Sequence, residues 1–287
     1  TGYLVAVLAD SAIDSGKLKE AIAILDTQPL ISTALIKLCQ WAANYYQHPL
    51  GEVIPAAFSP SLRKGKPHKT LGNAGWSLTS HGKGLPAGGL SRSPKQALAM
   101  ELLQAQNTVP STVLASRGIS TAVLQSMRKK GLICTTIIES SPAPGRTRTP
   151  LTLNPDQNLV VSSMADKLQG FSAHLLEGVT GSGKTEVYLH LIAQILEKKQ
   201  QVLVLIPEIG LTPQTLDRFE QRFDANSVVL HSGMATEARY KAWESARNGH
   251  AHIILGTRSA IFAPIKNLGL IIVDEEHDGS YKQQDGF

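Results

Sequence analysis

The stretch Gly178-Val179-Thr180-Gly181-Ser182-Gly183-Lys184-Thr185 constrains the fold of this 287-residue chain more than any other. Its spacing is that of a phosphate-binding loop, which needs a strand before it and a helix after it. Ala173 to Leu176 reads as that strand, and Thr185 to Leu196 as the helix. The glycines let the backbone turn tightly and approach a ligand closely. Successive N–H groups then point at phosphate oxygens, with a helix N-terminus behind them. Lys184 is expected to meet the β and γ phosphates of a nucleoside triphosphate, and Thr185 to hold Mg2+.

A second motif lies downstream. Leu270-Ile271-Ile272-Val273-Asp274-Glu275-Glu276-His277 is an apolar strand that ends in acids. Asp274 is the expected second Mg2+ ligand, and Glu275 the base that orients an attacking water. From Leu151 onward the pattern alternates strand and helix. Val202 to Ile206, Val228 to Leu230, His252 to Leu255 and Leu270 to Val273 read as strands, and Thr185 to Leu196 and Thr212 to Phe223 as helices. That alternation predicts an α/β lobe, a parallel sheet covered by helices on both faces. In such sheets ligands bind beyond the carboxyl ends of the strands, where both motifs fall.

Two earlier sections have other patterns. In residues 1–65, Tyr3 to Leu8 is β-like, and Ile31 to Tyr46 is apolar at helical spacing up to His48-Pro49-Leu50-Gly51. Trp41, Tyr45 and Tyr46 lie on that helix and are expected in its core. Residues 66–90, rich in Gly, Ser, Lys and Pro, read as a linker. Residues 91–150 carry three short helical patterns, from Ser93-Pro94, Ser111 and Ser120, then the β-branched run Cys134 to Ile138. The order suggests a winged helix whose third helix, ending in Arg128-Lys129-Lys130, can enter a nucleic-acid groove. A small helical connector with solvated basic residues is the other reading. Ser140 to Pro150 reads as a second linker.

Composition narrows the class. With 42% hydrophobic and 18% charged residues, the chain matches ordinary globular proteins, and no run approaches the roughly 18 apolar residues of a membrane span. A net charge of +5 suits a polyanionic partner without demanding one. Cys39 and Cys134, in a predicted helix and strand with no CxxC spacing, offer neither a disulfide framework nor a zinc site. With no signal or transit pattern, a reducing, cytoplasmic setting is expected. Neither His48 nor His231 has a partner visible in the sequence, and both are expected to be structural.

Taken together, Gly178 to Leu189, Pro207 to Gln214, His231-Ser232-Gly233, Gly256 to Phe262 and Asp274 to Gln284 resemble the PriA family of replication-restart helicases (primosomal protein N′). The pairing of PEIGLTPQ with DEEH and SYKQQ is specific to it. The resemblance implies a RecA-like ATP-binding lobe at 151–287, preceded by a winged helix and by the remnant of a small β-rich domain that recognises the 3′ end of a nascent strand. It implies that Gln157 reads adenine and that Thr212, Thr257 and Arg258 line a single-strand track. His277, Tyr281 and Lys282 would couple DNA contact to hydrolysis, with the aromatic able to stack a base.

The same resemblance implies ATP and Mg2+ as cofactors. It implies single-stranded and forked DNA, single-stranded DNA-binding protein and other primosome proteins as partners, and translocation from 3′ to 5′. The family's third motif, second motor lobe and zinc-binding cysteines are expected beyond this sequence, so the chain alone is expected to hydrolyse ATP slowly and not to unwind DNA. Two rivals remain: a fork-binding module with a regulatory nucleotide site, and a transport or metabolic P-loop ATPase.

Overall fold

The computed structural model of the chain describes every residue except 1, 8–12, 18, 27, 69–72, 86–89, 91–92, 139–145, 148–150, 166, 169, 180 and 283–287. These exceptions include Thr180 of the glycine loop, Gln283 and Gln284 of the SYKQQ segment, and most of the predicted second linker. The chain divides into two compact units, residues 69–141 and the remainder.

Helix α1 (Thr33–Tyr45) starts where the Ser32 hydroxyl accepts the Leu35 N–H at 3.2 Å, a side-chain cap for an otherwise orphan donor. Its buried ridge is Leu35, Cys39, Ala42 and Ala43. That ridge packs on the short helix α2 (Leu50–Val53) and the 3-10 turn Ile54–Ala57, and α3 (Pro60–Arg63) follows. The small residues let backbone approach and leave the bulky ones outside. Trp41, Tyr45 and Tyr46 are therefore 55%, 66% and 55% exposed rather than in the core, with the Trp41 and Tyr45 rings stacked 5.0 Å apart. Residues 2–7 form no strand, and Tyr3 packs its ring on Phe58 at 4.8 Å.

The 69–141 unit contains β1 (Asn73–Leu78), α4 (Ser80–Lys83), α5 (Pro94–Gln106), β2 (Thr108–Pro110), α6 (Ser111–Ser116), α7 (Thr121–Lys129) and β3 (Ile133–Ile138). The strands form an antiparallel sheet in the order β2-β1-β3. Among the described residues, four helices and this three-stranded sheet make up the unit. Its central strand, however, lies inside the stretch read as a linker. Trp76 and Leu78 of β1 enter a core with Met100, Leu103, Leu114, Leu124, Met127 and Ile133. A Cβ at Gly82 would collide with the Leu132 carbonyl, so a glycine is needed where the chain leaves β1.

The remaining elements are β4 (Arg146–Thr147), α8 (Pro155–Ala165), α9 (Lys184–Glu197), β5 (Gln201–Leu205), α10 (Pro213–Arg222), β6 (Phe223–Asp224), β7 (Ser227–Leu230), α11 (Thr236–Asn248), β8 (Ile253–Gly256) and β9 (Leu268–Val273). β4 pairs antiparallel with β6, so part of the second predicted linker is laddered. The main sheet runs β7-β8-β5-β9, entirely parallel. Alternate residues of β5 face opposite layers. Val202 and Val204 pack with Ile192 and Ile195 of α9 and Phe219 of α10, whereas Leu203 and Leu205 pack with Ala242 and Ala246 of α11. Both faces are covered, as the sequence predicts.

The predicted strand Ala173–Leu176 does not form. Residues 171–179 pair with no strand among the described residues, and β9 is an edge whose Ile271 and Val273 are 42% and 45% exposed. Apolar character alone does not make a strand without a ladder to join.

Residues up to His68 fold onto the nucleotide lobe instead of standing apart. Trp243 of α11 donates its indole N–H to the Ala57 carbonyl at 2.8 Å, and Arg247 Nε donates to Leu30 O at 2.9 Å. His68 Nε2 lies 2.7 Å from an oxygen of Glu244, which is 1% exposed.

His252 precedes β8, and its Nδ1 accepts the Asn226 N–H at 3.1 Å. Burial holds its pKa below the ordinary histidine value, so the fold favours the neutral ring. The unfolded chain takes up this proton at a higher pH than the folded chain does. The contribution is therefore intact above about pH 6.5 and is lost as pH falls below it. Urea unfolding between pH 7.5 and 5 should show stability falling, with a shallower fall in His252→Gln.

Candidate nucleotide-binding site

Helix α9 issues directly from the glycine loop, so its first-turn N–H groups face the loop's mouth. Gly181 and Gly183 have φ of 80° and 83°, a conformation that strains any side chain, and a Cβ on Gly183 would also collide with Gln157 Nε2. Lys184 Nζ donates to the carbonyls of Gly178 and, at 3.1 Å, Val179. Phosphate oxygens are stronger acceptors than these carbonyls, so a bound phosphate would compete with them for this ammonium.

Gln157 sits in the first turn of α8 against this loop. Its Nε2 donates to the Ser182 carbonyl at 3.1 Å, and its Oε1 accepts the Asn154 N–H at 3.0 Å, while Asn154 Oδ1 accepts the Gln157 N–H at 2.8 Å. The reciprocal pair is a capping box that fixes the amide. Gln157 thus braces the loop, and its amide has a second N–H and a second oxygen lone pair beyond these bonds.

Asp274 follows β9 at the carboxyl edge of the sheet. Its N–H donates to Leu205 O at 2.9 Å, continuing the β5 ladder by one residue. Its carbonyl accepts the Tyr281 hydroxyl at 2.8 Å. Of its carboxylate oxygens, Oδ1 accepts the Glu275 N–H at 3.1 Å, and Oδ2 accepts the Tyr188 hydroxyl of α9 at 3.3 Å. Burial, with the Asp274 charge adding to it, pushes the Tyr188 phenol up to about 12. Glu275 has φ of 50°, uncommon for a residue with a side chain and of order 1–3 kcal/mol in cost. The turn is stabilised by Asp278 N–H donating to Glu275 O at 2.8 Å. Glu275 and His277 are exposed, 3.4 Å apart.

A cavity of about 370 Å3 lies between the start of α9, α10 and the acidic turn, lined by Thr185, Tyr188, Pro207, Arg218, Phe219 and Asp274 among others. Thr185 and Asp274 thus share one space, as two ligands of a single cation must. Among the described residues no group of three or more His, Cys, Asp and Glu could hold a metal. Mg2+ takes one or two protein ligands and completes its shell with phosphate oxygens and water.

The other predicted residues fall differently. Thr212 caps α10, its hydroxyl accepting the Thr215 N–H at 3.3 Å, so a helix N-terminus does end the PEIGLT loop. Thr257 is only 6% exposed, its N–H donating to Leu230 O, so its side chain is not displayed to a ligand. Arg258 is half-buried, with NH1 3.4 Å from the Ser280 carbonyl. Tyr281 is turned inward, packed against the core cluster that holds Leu203 and Leu205 and donating its hydroxyl to the Asp274 carbonyl, instead of being presented for stacking, while Lys282 is exposed. Arg128, Lys129 and Lys130 are exposed in the 69–141 unit, Lys130 donating to Gln96 Oε1 at 2.9 Å. The imidazole of His231 accepts the Gly233 N–H at 3.2 Å, and His48 lies 3.8 Å from Glu52; both contacts are local.

Sequence reasoning missed four residues. Glu186, next to Thr185, pairs with Arg222 of α10 at 2.7 Å, and the Tyr188 ring stacks on Phe219 of α10 at 6.5 Å and 12°. A signal existed for the α9 half: Glu186 and Tyr188 are the first polar side chains after the loop. Glu186 and Arg222 are 14% and 8% exposed. Glu186→Ala breaks this largely buried pair and the Glu186–His190 contact at 3.2 Å, and should cost up to about 3–5 kcal/mol in chemical denaturation. The double replacement Glu186→Leu with Arg222→Met should cost less than either single change.

Two family models match separate parts of the chain. Residues 154–286 match the model of the DEAD/DEAH box helicase family, and residues 1–59 match the 3′ DNA-binding domain model of PriA. The replication restart protein PriA of Haemophilus influenzae is 41% identical over 99% of this chain, which covers 40% of that relative. The proteins of the same name from Synechocystis and Bacillus subtilis are 48% and 37% identical over 57% and 69% of the chain, covering 20% and 26% of their lengths. The chain thus spans well under half of these relatives. With a helicase model over the glycine loop and acidic box, a PriA DNA-binding model at its start and PriA similarity along nearly all of its length, the chain belongs to the PriA replication-restart family.

Proposed function

We propose that this chain is the nucleotide-binding part of an ATP-driven DNA helicase that moves 3′ to 5′ on single strands at stalled forks and helps reload the replication machinery. One observation carries the reading. The cavity lined by Thr185 and Asp274 is also walled by Pro207 and Gly210 of the segment before α10 and by Thr215 in its first turn. A change at the phosphates and a change at the PEIGLT loop therefore act on the same side chains.

In this reading Lys184 and the N-terminus of α9 bind and orient the β and γ phosphates, and Gln157 keeps the loop in shape. Thr185 and Asp274 hold Mg2+, which when bound neutralises phosphate charge. Glu275 orients the attacking water from its left-handed turn. Hydrolysis of this kind depends on positioning and charge stabilisation more than on covalent chemistry. The N-terminus of α10, capped by Thr212, faces a strand's phosphates. Arg258, backed by the Asp278–Tyr281 turn, adds positive charge to this lobe, and the exposed Arg128, Lys129 and Lys130 give the 69–141 unit a basic surface of its own. Single-stranded DNA-binding protein and primosome proteins would be its partners, and the cytoplasm its setting.

The match of residues 1–59 to a DNA-binding model favours a second reading, a fork-binding module in which nucleotide only regulates. Lys184→Ala separates the two. In the whole protein, forked and single-stranded DNA should raise ATP turnover at least tenfold, and Lys184→Ala should abolish both turnover and unwinding. Unwinding by the Lys184→Ala variant at the wild-type rate would favour the module. DNA binding should weaken steeply between about 50 and 200 mM salt, with a slope near −0.7 for each phosphate contact on single strands.

A further inference from the structure

Tyr188 is used by neither motif, yet it touches both. It lies three residues beyond Thr185 on α9, one helical turn on, so its side chain shares a face with that hydroxyl. The Tyr188 hydroxyl donates to Asp274 Oδ2 at 3.3 Å, and Thr185 lines the same cavity beside the phenol. One hydroxyl thus borders both residues assigned to Mg2+. Its ring is 9% exposed and lies parallel to Phe219 of α10, with 12° between the planes.

This wiring has a chemical consequence. A threonine that ligates a cation offers an oxygen lone pair to the metal, and its O–H must then be donated elsewhere. Coordination strengthens that donor, so a buried acceptor is needed. The Tyr188 oxygen is placed to accept it, and the Tyr188 proton is in turn accepted by Asp274. Every proton then points away from the cation, and every ligand oxygen keeps a lone pair for it. Asp274 Oδ1 is meanwhile steered by the Glu275 N–H at 3.1 Å, so both carboxylate oxygens have set directions. Phe219 fixes the phenol ring, and Glu186–Arg222 clamps the same two helices one turn away.

We infer that Tyr188 is a positioning residue: its hydroxyl holds Thr185 and Asp274 in the geometry that binds Mg2+ with the nucleotide, and its stacking on Phe219 makes that geometry depend on the placement of α10. The inference rests on the assignment of Thr185 and Asp274 proposed above, and adds a link from the PEIGLT helix to the metal ligands.

The test is Mg2+-dependent binding of a fluorescent, non-hydrolysable ATP analogue to the whole protein, titrated with Mg2+ and repeated in EDTA. Tyr188→Phe keeps the ring and its stack and removes the hydroxyl alone. The expected result is a Mg2+ half-saturation at least threefold higher than in wild type, with affinity in EDTA unchanged and melting temperature lowered by no more than the loss of one hydrogen bond gives. Phe219→Leu should raise the Mg2+ requirement in the same direction while leaving the hydroxyl in place. A wild-type Mg2+ dependence in Tyr188→Phe overturns the inference. So does an equal loss with Mg2+ and in EDTA, which marks a merely structural tyrosine. Lys184→Ala is the control for the site itself: wild-type binding by that variant overturns the nucleotide assignment and this inference with it, whereas lost binding in Lys184→Ala with unaltered Tyr188→Phe overturns the tyrosine alone.

Discussion

Asp274 is the residue on which the arrangement depends, because four parts of the fold converge on it. The β5 backbone accepts its N–H, the 278–281 turn donates to its carbonyl, its own turn donates to one carboxylate oxygen and α9 donates to the other. Each bond contributes about 0.5–1.5 kcal/mol, and those to the charged carboxylate about 1.5–3. Their greater effect is directional. A carboxylate held from both oxygens and from its own backbone has little freedom left, and a preorganised ligand has little ordering left to undergo on binding.

The rest of the lobe serves that placement. Parallel pairing of β5 with β8 and β9 brings Leu205, Gly256 and Val273 to one edge, so the segments that follow them emerge side by side. Full burial of β5 between α9 with α10 on one face and α11 on the other holds that edge still. Gln201, itself buried, donates to the carbonyls of Ala246 and Ala251 and accepts the Asn267 N–H, tying the start of β5 to the ends of α11 and the approach to β9. Residues 1–68 add the Trp243 and Glu244 contacts to the outer side of α11.

Much of this was legible in the residues. The glycine loop announces α9, and the β-branched runs announce the four strands of the sheet, because burial on both faces demands continuous apolar character. What was not legible depends on partners far away in sequence. β1 sits in a stretch rich in glycine and serine, where only Trp76 and Leu78 carry its alternation, so pairing with β2 and β3 defines it more than its composition does. Ala173–Leu176 has strand composition and no ladder. Trp41 and Tyr45 follow helical spacing, yet the small ridge of Cys39, Ala42 and Ala43 is the side that packs. At the site, Lys184, Thr185, Asp274 and Glu275 were visible as motifs. Tyr188, Glu186, Phe219 and Arg222 were not, since their meaning lies in the packing of α9 on α10.

The central claim is that nucleotide binding, the acidic turn and α10 respond as one unit through Asp274 and its contacts. Hydrogen exchange of the whole protein, with and without Mg2+ and a non-hydrolysable ATP analogue, tests this most directly. The account predicts that protection rises together in residues 178–189, in 207–222 and in 274–282. Protection confined to 178–189, with the other two segments exchanging as they do without nucleotide, would contradict it.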